Sequence, residues 1–394
     1  MKKSVRRFVT VGLVLSMTAM LFSGCGKKSG SNTNDENGSE KVFYIGGSGP
    51  LTGDYAAYGM GVKNAAELAV NEINKAGGIN GFKVKFSYED DEADGEKAVN
   101  AYNILKDKGM NIMMGTVTSG ACASVIEKTS KDGMFHITPS ASSTDVLKLG
   151  NVFQVCFTDP NQGIASARYI AEKGLAKKVA IIYESSSIYS SGIQAKFKEE
   201  AAKHDFEIVA DEAFTGDNKT DFSVQLQKAK DAGAELVFLP IYYQEASLIL
   251  TQAAAMDYKP IFFGCDGLDG ILNVENFNTS LAEGAMLLTP FAAIESDEIT
   301  NKFVSDYKAA YGETPNQFAA DAYDAIYIIK AAIEKSGATP DMSIKELGDA
   351  LKKAMLEITV DGLTGKAMTW SSTGEVSKDP RVFKIVNGAY AEAE

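Results

Sequence analysis

The residues best suited to chemistry are scarce in this chain of 394 residues. It has two histidines, His136 and His204, and four arginines, two of which, Arg6 and Arg7, sit at the extreme N-terminus. A histidine acid–base pair or an arginine clamp on phosphate therefore has almost nothing to draw on. His136 falls in a strand pattern and His204 on a helix before Asp205, and neither lies near a nucleophile in sequence. Gly47-Ser48-Gly49-Pro50-Leu51-Thr52 lacks the third glycine of a dinucleotide fingerprint, and the chain has no P-loop lysine motif. Asp90, Asp91, Glu92 and Asp94 lack the ordered oxygen spacing of a calcium loop, so a solvated acidic loop is expected there. What remains are hydroxyls and isolated acids in glycine-rich segments: Gly115 to Gly120, Thr138 to Ser143, and Phe262 to Gly267. Taken locally, Ser119 and Ser142 read as turn formers, as does Asp266 before Gly267. Hydroxyls and backbone N–H groups can nonetheless hold a small anion without an arginine.

Those segments follow strands. From Lys41, short β-branched or aromatic runs alternate with longer helical patterns. Strands are predicted at Val42–Ile45, Val84–Tyr88 and Ile112–Met114, and near 134–138, 179–183, 208–213, 236–239, 261–263, 285–288 and 382–386. Helices are predicted over about 59–75, where Val62, Ala65, Ala66, Ala69, Val70 and Ile73 share a face, and over 96–108. Strands separated by helices imply right-handed crossovers and mostly parallel, helix-covered sheets. There are more strands than one sheet needs, and the length suggests two domains, so the fold class is α/β with two doubly wound sheets. In such sheets ligands bind beyond the carboxyl ends of the strands, which is where the serine and aspartate loops fall.

The N-terminus differs in kind. Lys2, Lys3, Arg6 and Arg7 precede a run of fifteen mostly apolar residues from Phe8 to Phe22, and then small residues ending at Cys25. This reads as a secretory signal, since the run is shorter than the roughly 20 residues that span a bilayer. Residues 26–40 carry no apolar side chain and read as a flexible linker. The formal net charge of −13 becomes −17 once residues 1–24, with four basic residues and no acid, are removed. Such acidity repels nucleic acid and anionic lipid. Cys122, Cys156 and Cys265 are expected to be small buried hydrophobes.

Two longer stretches carry a resemblance. Leu21-Phe22-Ser23-Gly24-Cys25 resembles the bacterial lipobox, with Phe22 where leucine is usual, which implies lipidation of Cys25. The runs Pro50 to Gly59 and Asn71 to Gly81, with Asp90-Asp91, Thr158-Asp159-Pro160-Asn161-Gln162-Gly163 and Tyr323-Asp324-Ala325, closely resemble the branched-chain amino-acid type of solute-binding protein. These are the extracytoplasmic receptors of ABC importers. The resemblance covers 41–394 and implies a two-lobed type I periplasmic-binding-protein fold with three hinge crossovers. Lobe one would be 41–159 plus 290–380, and lobe two 160–289 plus 381–394.

It implies a monomer that delivers an amino acid to a membrane permease, held at the membrane by its N-terminal lipid, without a cofactor, a metal, nucleic acid or catalysis. Binding of another small ligand on the same fold, an amide, urea, aromatic acid, nucleoside or sugar, is the alternative. An α-amino acid needs both its charges satisfied once it leaves water. By the resemblance Ser119 and Ser142 hold the carboxylate, while the Ser140 carbonyl and Asp266 hold the ammonium. Asp266 stands where glutamate is common. Tyr58, Tyr189, Tyr242 and Phe318 would line the side-chain pocket, with Tyr243, Gln244 and Asp321 as further candidates.

Overall fold

The computed structural model describes residues 41–393. Residues 1–40, and with them the export signal, Cys25 and the linker, lie outside the described residues. Two sheets organise the chain. The first has the order β2-β1-β3-β4-β5, built from β1 (Phe43–Gly49), β2 (Val84–Asp90), β3 (Ile112–Gly115), β4 (Phe135–Thr138) and β5 (Val152–Gln154). All its pairings are parallel. The second contains β6 (Lys178–Glu184), β7 (Glu207–Phe214), β8 (Leu236–Leu239), β9 (Ile261–Gly264), β10 (Met286–Thr289), β11 (Arg381–Val386) and β12 (Ala389–Glu392). Its order is β12-β11-β10-β9-β8-β6-β7, parallel except where β11 runs against both β10 and β12.

The sequence explains why these strands are central. β3, β4 and β8 are buried at every residue, as expected of parallel strands covered on both faces. The covering helices are α1 (Ala56–Lys75), α2 (Gly95–Asp107), α3 (Ser119–Asp132), α4 (Asp159–Lys173), α5 (Ile188–Ala201), α6 (Ser223–Asp231), α7 (Tyr243–Ala255), α8 (Glu298–Tyr311), α9 (Gln317–Ser336) and α10 (Ile344–Met355). α1 buries the predicted stripe from Val62 to Ile73, and α9 packs along it. α9 is buried at most positions because it lies between α1 and α10 rather than on the surface.

The chain passes three times between the sheets. It leaves the first after β5 and enters the second by way of α4. After β10 it returns, and α9 and α10 cover the first sheet. Residues 370–374 then run along β5, where Trp370 Nε1 donates to Gln154 O at 2.8 Å and Gln154 N donates to Gly374 O at 3.0 Å. A last passage leads into β11.

Two strands lie outside the sequence reading. β5 is only three residues long, too short for periodicity, and is held by its place between β4 and the 370–374 segment. β12 has weak strand residues but follows Asn387 (φ 52°) and Gly388 (φ 73°), an Asn-Gly hairpin turn that folds it back on β11. α1 begins three residues before its predicted start.

The acidic loop is not simply solvated. Asp91 is fully buried, and Asp90 accepts from Leu51 N at 2.8 Å and Thr52 Oγ1 at 2.6 Å, which ties the β1–α1 loop down. Asp94 caps α2 by accepting from Glu96 N and Lys97 N. These carboxylates serve backbone donors that the loop would otherwise leave unpaired. Cys122, Cys156 and Cys265 are buried and free. Among the described residues no helix is long and apolar enough to cross a membrane.

Candidate ligand-binding cleft

The predicted residues arrive at one place from seven parts of the chain. β3 ends at Gly115, and the chain turns through Thr116 and Thr118 into α3, whose first residue is Ser119. β4 ends at Thr138, two residues before Ser140. From the second sheet, β9 ends at Gly264 and a short 3₁₀ turn begins at Asp266. Tyr189 stands in the first turn of α5 and Tyr242 immediately precedes α7. Tyr58 comes from α1 and Phe318 from the first turn of α9. Strand carboxyl ends and helix N-termini converge, so backbone N–H groups and partial positive charge point inward.

Tyr58, Ser119, Ser140, Tyr189, Tyr242, Asp266 and Phe318 line a single cavity, completed by Val117, Thr118 and Gly267. It measures about 10 Å³, so the two sides are shut onto one another. The Tyr58 hydroxyl donates to Gly267 O, and Gln317 Nε2 donates to Asp266 O at 3.0 Å. Tyr189 and Tyr242 stack at 4.9 Å, Tyr58 lies 4.0 Å from Phe318, and Tyr242 meets Tyr58 edge-on at 5.5 Å. One wall of the cavity is thus aromatic, and the other is made of small hydroxyl residues.

The polar groups are unevenly satisfied. Ser140 Oγ donates to Val117 O at 2.8 Å, and Ser119 Oγ accepts from Ser143 N at 3.1 Å. Asp266 is 3% exposed and accepts from the Tyr189 hydroxyl at 2.7 Å, while that hydroxyl accepts from Gly267 N at 3.0 Å. Burial pushes the Asp266 carboxyl up to about 7, against the opposing pull of Tyr189 and Gln162. At the cleft rim the Tyr55 hydroxyl donates to Glu245 at 2.7 Å, and Lys219 bridges Asp54 at 2.8 Å and Glu245 at 3.3 Å.

Ser142 does not line the cavity with the others. It is buried beside it in the β4 loop, and its hydroxyl has no hydrogen-bond partner. Asp321 also faces elsewhere: it pairs with Lys378 at 2.8 Å, both side chains fully buried, because the third passage brings that lysine against α9. Tyr243 packs on Tyr58 at 4.8 Å without reaching the cavity wall, and Gln244 is likewise absent from it. Gln317 and Gly267 were not anticipated. A Cβ at Gly267 would lie 2.6 Å from the Tyr189 hydroxyl and 2.9 Å from Tyr242, so only glycine lets these rings close on Asp266. The Asp-Gly pair was the available signal, but it reads equally as a turn. His136, neutral because burial lowers it to about 4, lies within 3.2 Å of Thr129 Oγ1 and has no part in the cavity.

A larger cavity of about 670 Å³ adjoins the passages between the sheets, lined by Asn161, Phe291, Lys378 and Arg381 among others. Lys378 is already paired with Asp321, so the half-satisfied groups of the small cavity mark the better binding site.

Residues 43–389 match the periplasmic binding protein family. The chain is 32% identical to a Leu/Ile/Val-binding protein of Rhizobium johnstonii, over 89% of this chain and 93% of that one. It is 29% identical to a leucine-, isoleucine-, valine-, threonine- and alanine-binding protein of Pseudomonas aeruginosa, over 76% and 80% of the two chains. Among solved structures, the branched-chain amino acid transporter substrate-binding protein LivJ of Streptococcus pneumoniae, in complex with isoleucine, superposes with a TM-score of 0.81. It is 30% identical, with 90% of this chain and 99% of that one covered. The chain belongs to the periplasmic binding protein family and has its type I fold, two parallel-dominated sheets flanked by helices.

Proposed function

We propose that this chain is the extracytoplasmic receptor of an ABC importer and traps a branched-chain or related amino acid between two lobes. Lobe one comprises 41–159 with 290–380, and lobe two 160–289 with 381–394. The amino acid settles first on lobe one. Ser119 and the N-terminus of α3 hold its carboxylate, joined on lobe opening by Ser142, whose unpartnered hydroxyl lies buried beside the closed cavity, and the Ser140 carbonyl accepts from its ammonium. Lobe two then closes, bringing Asp266 to the ammonium and Tyr189 and Tyr242 over the apolar part. Tyr58 and Phe318 close the far end of the pocket.

The observation that carries this reading is Asp266, a buried carboxylate facing hydroxyl groups across a closed cleft. Aromatic acids and urea bring no cation to offset it, whereas an amino acid does. The leucine-, isoleucine- and valine-binding relatives and the isoleucine complex support the same ligand class.

The receptor works as a monomer, without catalysis. Cys25, once lipidated, tethers it to the outer face of the cytoplasmic membrane through the 26–40 linker, and the closed form docks on the permease. Micromolar affinity, roughly −8 kcal/mol, suits capture followed by release. Titration calorimetry with isoleucine, leucine and valine tests the proposal, because micromolar binding to at least one is expected. No heat and no thermal shift with any amino acid would overturn it.

A further inference from the structure

We infer that Gln162 is the positioning residue for Asp266, holding that carboxylate where it meets the ligand's ammonium without touching the ligand itself. This deepens the amino-acid reading above and rests on it. Gln162 is the fourth residue of α4 and is fully buried. The Gln-Gly pair explains its placement. A Cβ at Gly163 would lie 2.5 Å from Ile193 O and 2.7 Å from Phe197 N, so only glycine lets α4 settle against the backbone of α5. With α4 so placed, Gln162 and Ser166, one turn apart, both meet the segment that follows β9. Ser166 Oγ lies 3.8 Å from Cys265 Sγ, and Gln162 Oε1 accepts from Asp266 N at 3.1 Å.

Asp266 is thereby fixed on both sides of its backbone, since Gln317 Nε2 donates to its carbonyl at 3.0 Å. Its carboxyl is held more loosely. Tyr189 donates to Oδ1 at 2.7 Å, and the same hydroxyl accepts from Gly267 N. Gln162 Nε2 makes no hydrogen bond of ordinary geometry, yet with Tyr189 it opposes burial and pulls the titration of the Asp266 carboxyl down. A buried amide donor costs free energy until it finds an acceptor, and an ionised Asp266 is the acceptor beside it. Gln162 therefore favours the charged form that the ammonium needs. It does not line the ligand cavity, so its effect on binding passes through Asp266. The other titratable groups that feel Asp266 are Tyr58, Tyr189 and Tyr242 around it, Asp159 on α4, Asp321 on α9, and Cys156 and Cys265; substitution of Gln162 removes none of them.

Calorimetry from about pH 5 to 8.5, with isoleucine or whichever amino acid stabilises the unsubstituted chain most, tests this. Gln162→Met keeps the bulk and removes both polar ends. Its affinity near neutral pH falls about tenfold, and the pH at which affinity levels off rises by about one unit, because Asp266 ionises later without the amide. A levelling pH that does not rise overturns the inference whatever the affinity, since loosened packing alone would weaken binding equally at every pH. Should Gln162→Met not fold, Gln162→Glu decides: it keeps the acceptor for Asp266 N and loses the donor, and the same rise in the levelling pH is expected. An unchanged profile, or a second failure to fold, overturns the inference, because the glutamine would then serve the fold. If the unsubstituted chain binds no amino acid, the failure belongs to the functional reading instead.

Discussion

Two sets of buried aspartates divide this molecule. At the passages between the sheets, Asp324 accepts from Leu363 N, Thr364 N and Thr364 Oγ1 at 2.9, 2.9 and 2.6 Å, and Asp321 pairs with Lys378. In the cleft, the Asp266 carboxyl has a single side-chain hydrogen bond, from the Tyr189 hydroxyl. All three are at most 3% exposed. Residue type and burial therefore do not distinguish a structural carboxylate from one that meets a ligand, and the distinction lies in how fully the chain supplies its partners. A buried acid that the fold satisfies holds the passages in register, whereas one left half-satisfied needs a cation from outside.

The largest test of that contrast is Asp266→Ala. It leaves the ligand's ammonium facing a neutral wall and costs about 3 kcal/mol of binding, on the order of a hundredfold, by calorimetry. Stability without ligand should change little, and an unaltered affinity would remove Asp266 from the site. Lys378→Met is the mirror experiment. It strands Asp321 and costs about 3 kcal/mol of stability, read as a fall in denaturation midpoint, while the folded protein keeps its affinity within a few-fold. A large loss of affinity without loss of stability would mean that the passages and the cleft are not separable in this way.

pH gives a third handle. The folded Asp266 carboxyl at about 7 lies above the roughly 3.9 of an unfolded aspartate, so its contribution to ligand-free stability is fully present below about pH 4. That contribution is lost as pH rises through 7, and the slope should flatten in Asp266→Asn when melting curves are compared. Ligand affinity runs the other way, rising by up to about tenfold per unit between pH 5 and 7 as the carboxylate forms. The smallest effect belongs to the rim. Tyr55→Phe loses the hydroxyl that donates to Glu245, about 1 kcal/mol, and should raise the ligand dissociation rate about fivefold in stopped-flow.

Much of the fold was legible because parallel strands and their covering helices carry strong periodicity, as in Ile112–Met114 and in the α1 stripe from Val62 to Ile73. β5 was not legible, since three residues carry no period. β12 was marked only by Asn387-Gly388. The resemblance brought out seven residues that line one cavity, yet it gave Ser142 the same standing and offered Asp321 as a further candidate, and neither lines that cavity. Nothing local separates Asp321 from Asp266, because Lys378 lies 57 residues further along the chain.

The sequence by itself determined the α/β alternation, the acidity of the body and the poverty in arginine and histidine that leaves hydroxyls, amides and carboxylates to do the binding. Local pattern and composition suffice for these, since periodicity and charge are properties of neighbouring residues. Only the tertiary structure decided which aspartates are answered by the chain. Pairing across 57 residues in Asp321–Lys378, and 77 in Tyr189–Asp266, depends on how the fold closes distant segments onto one another around each sheet. Whether a buried charge finds its counterpart is settled by that closure and by nothing nearer in the chain.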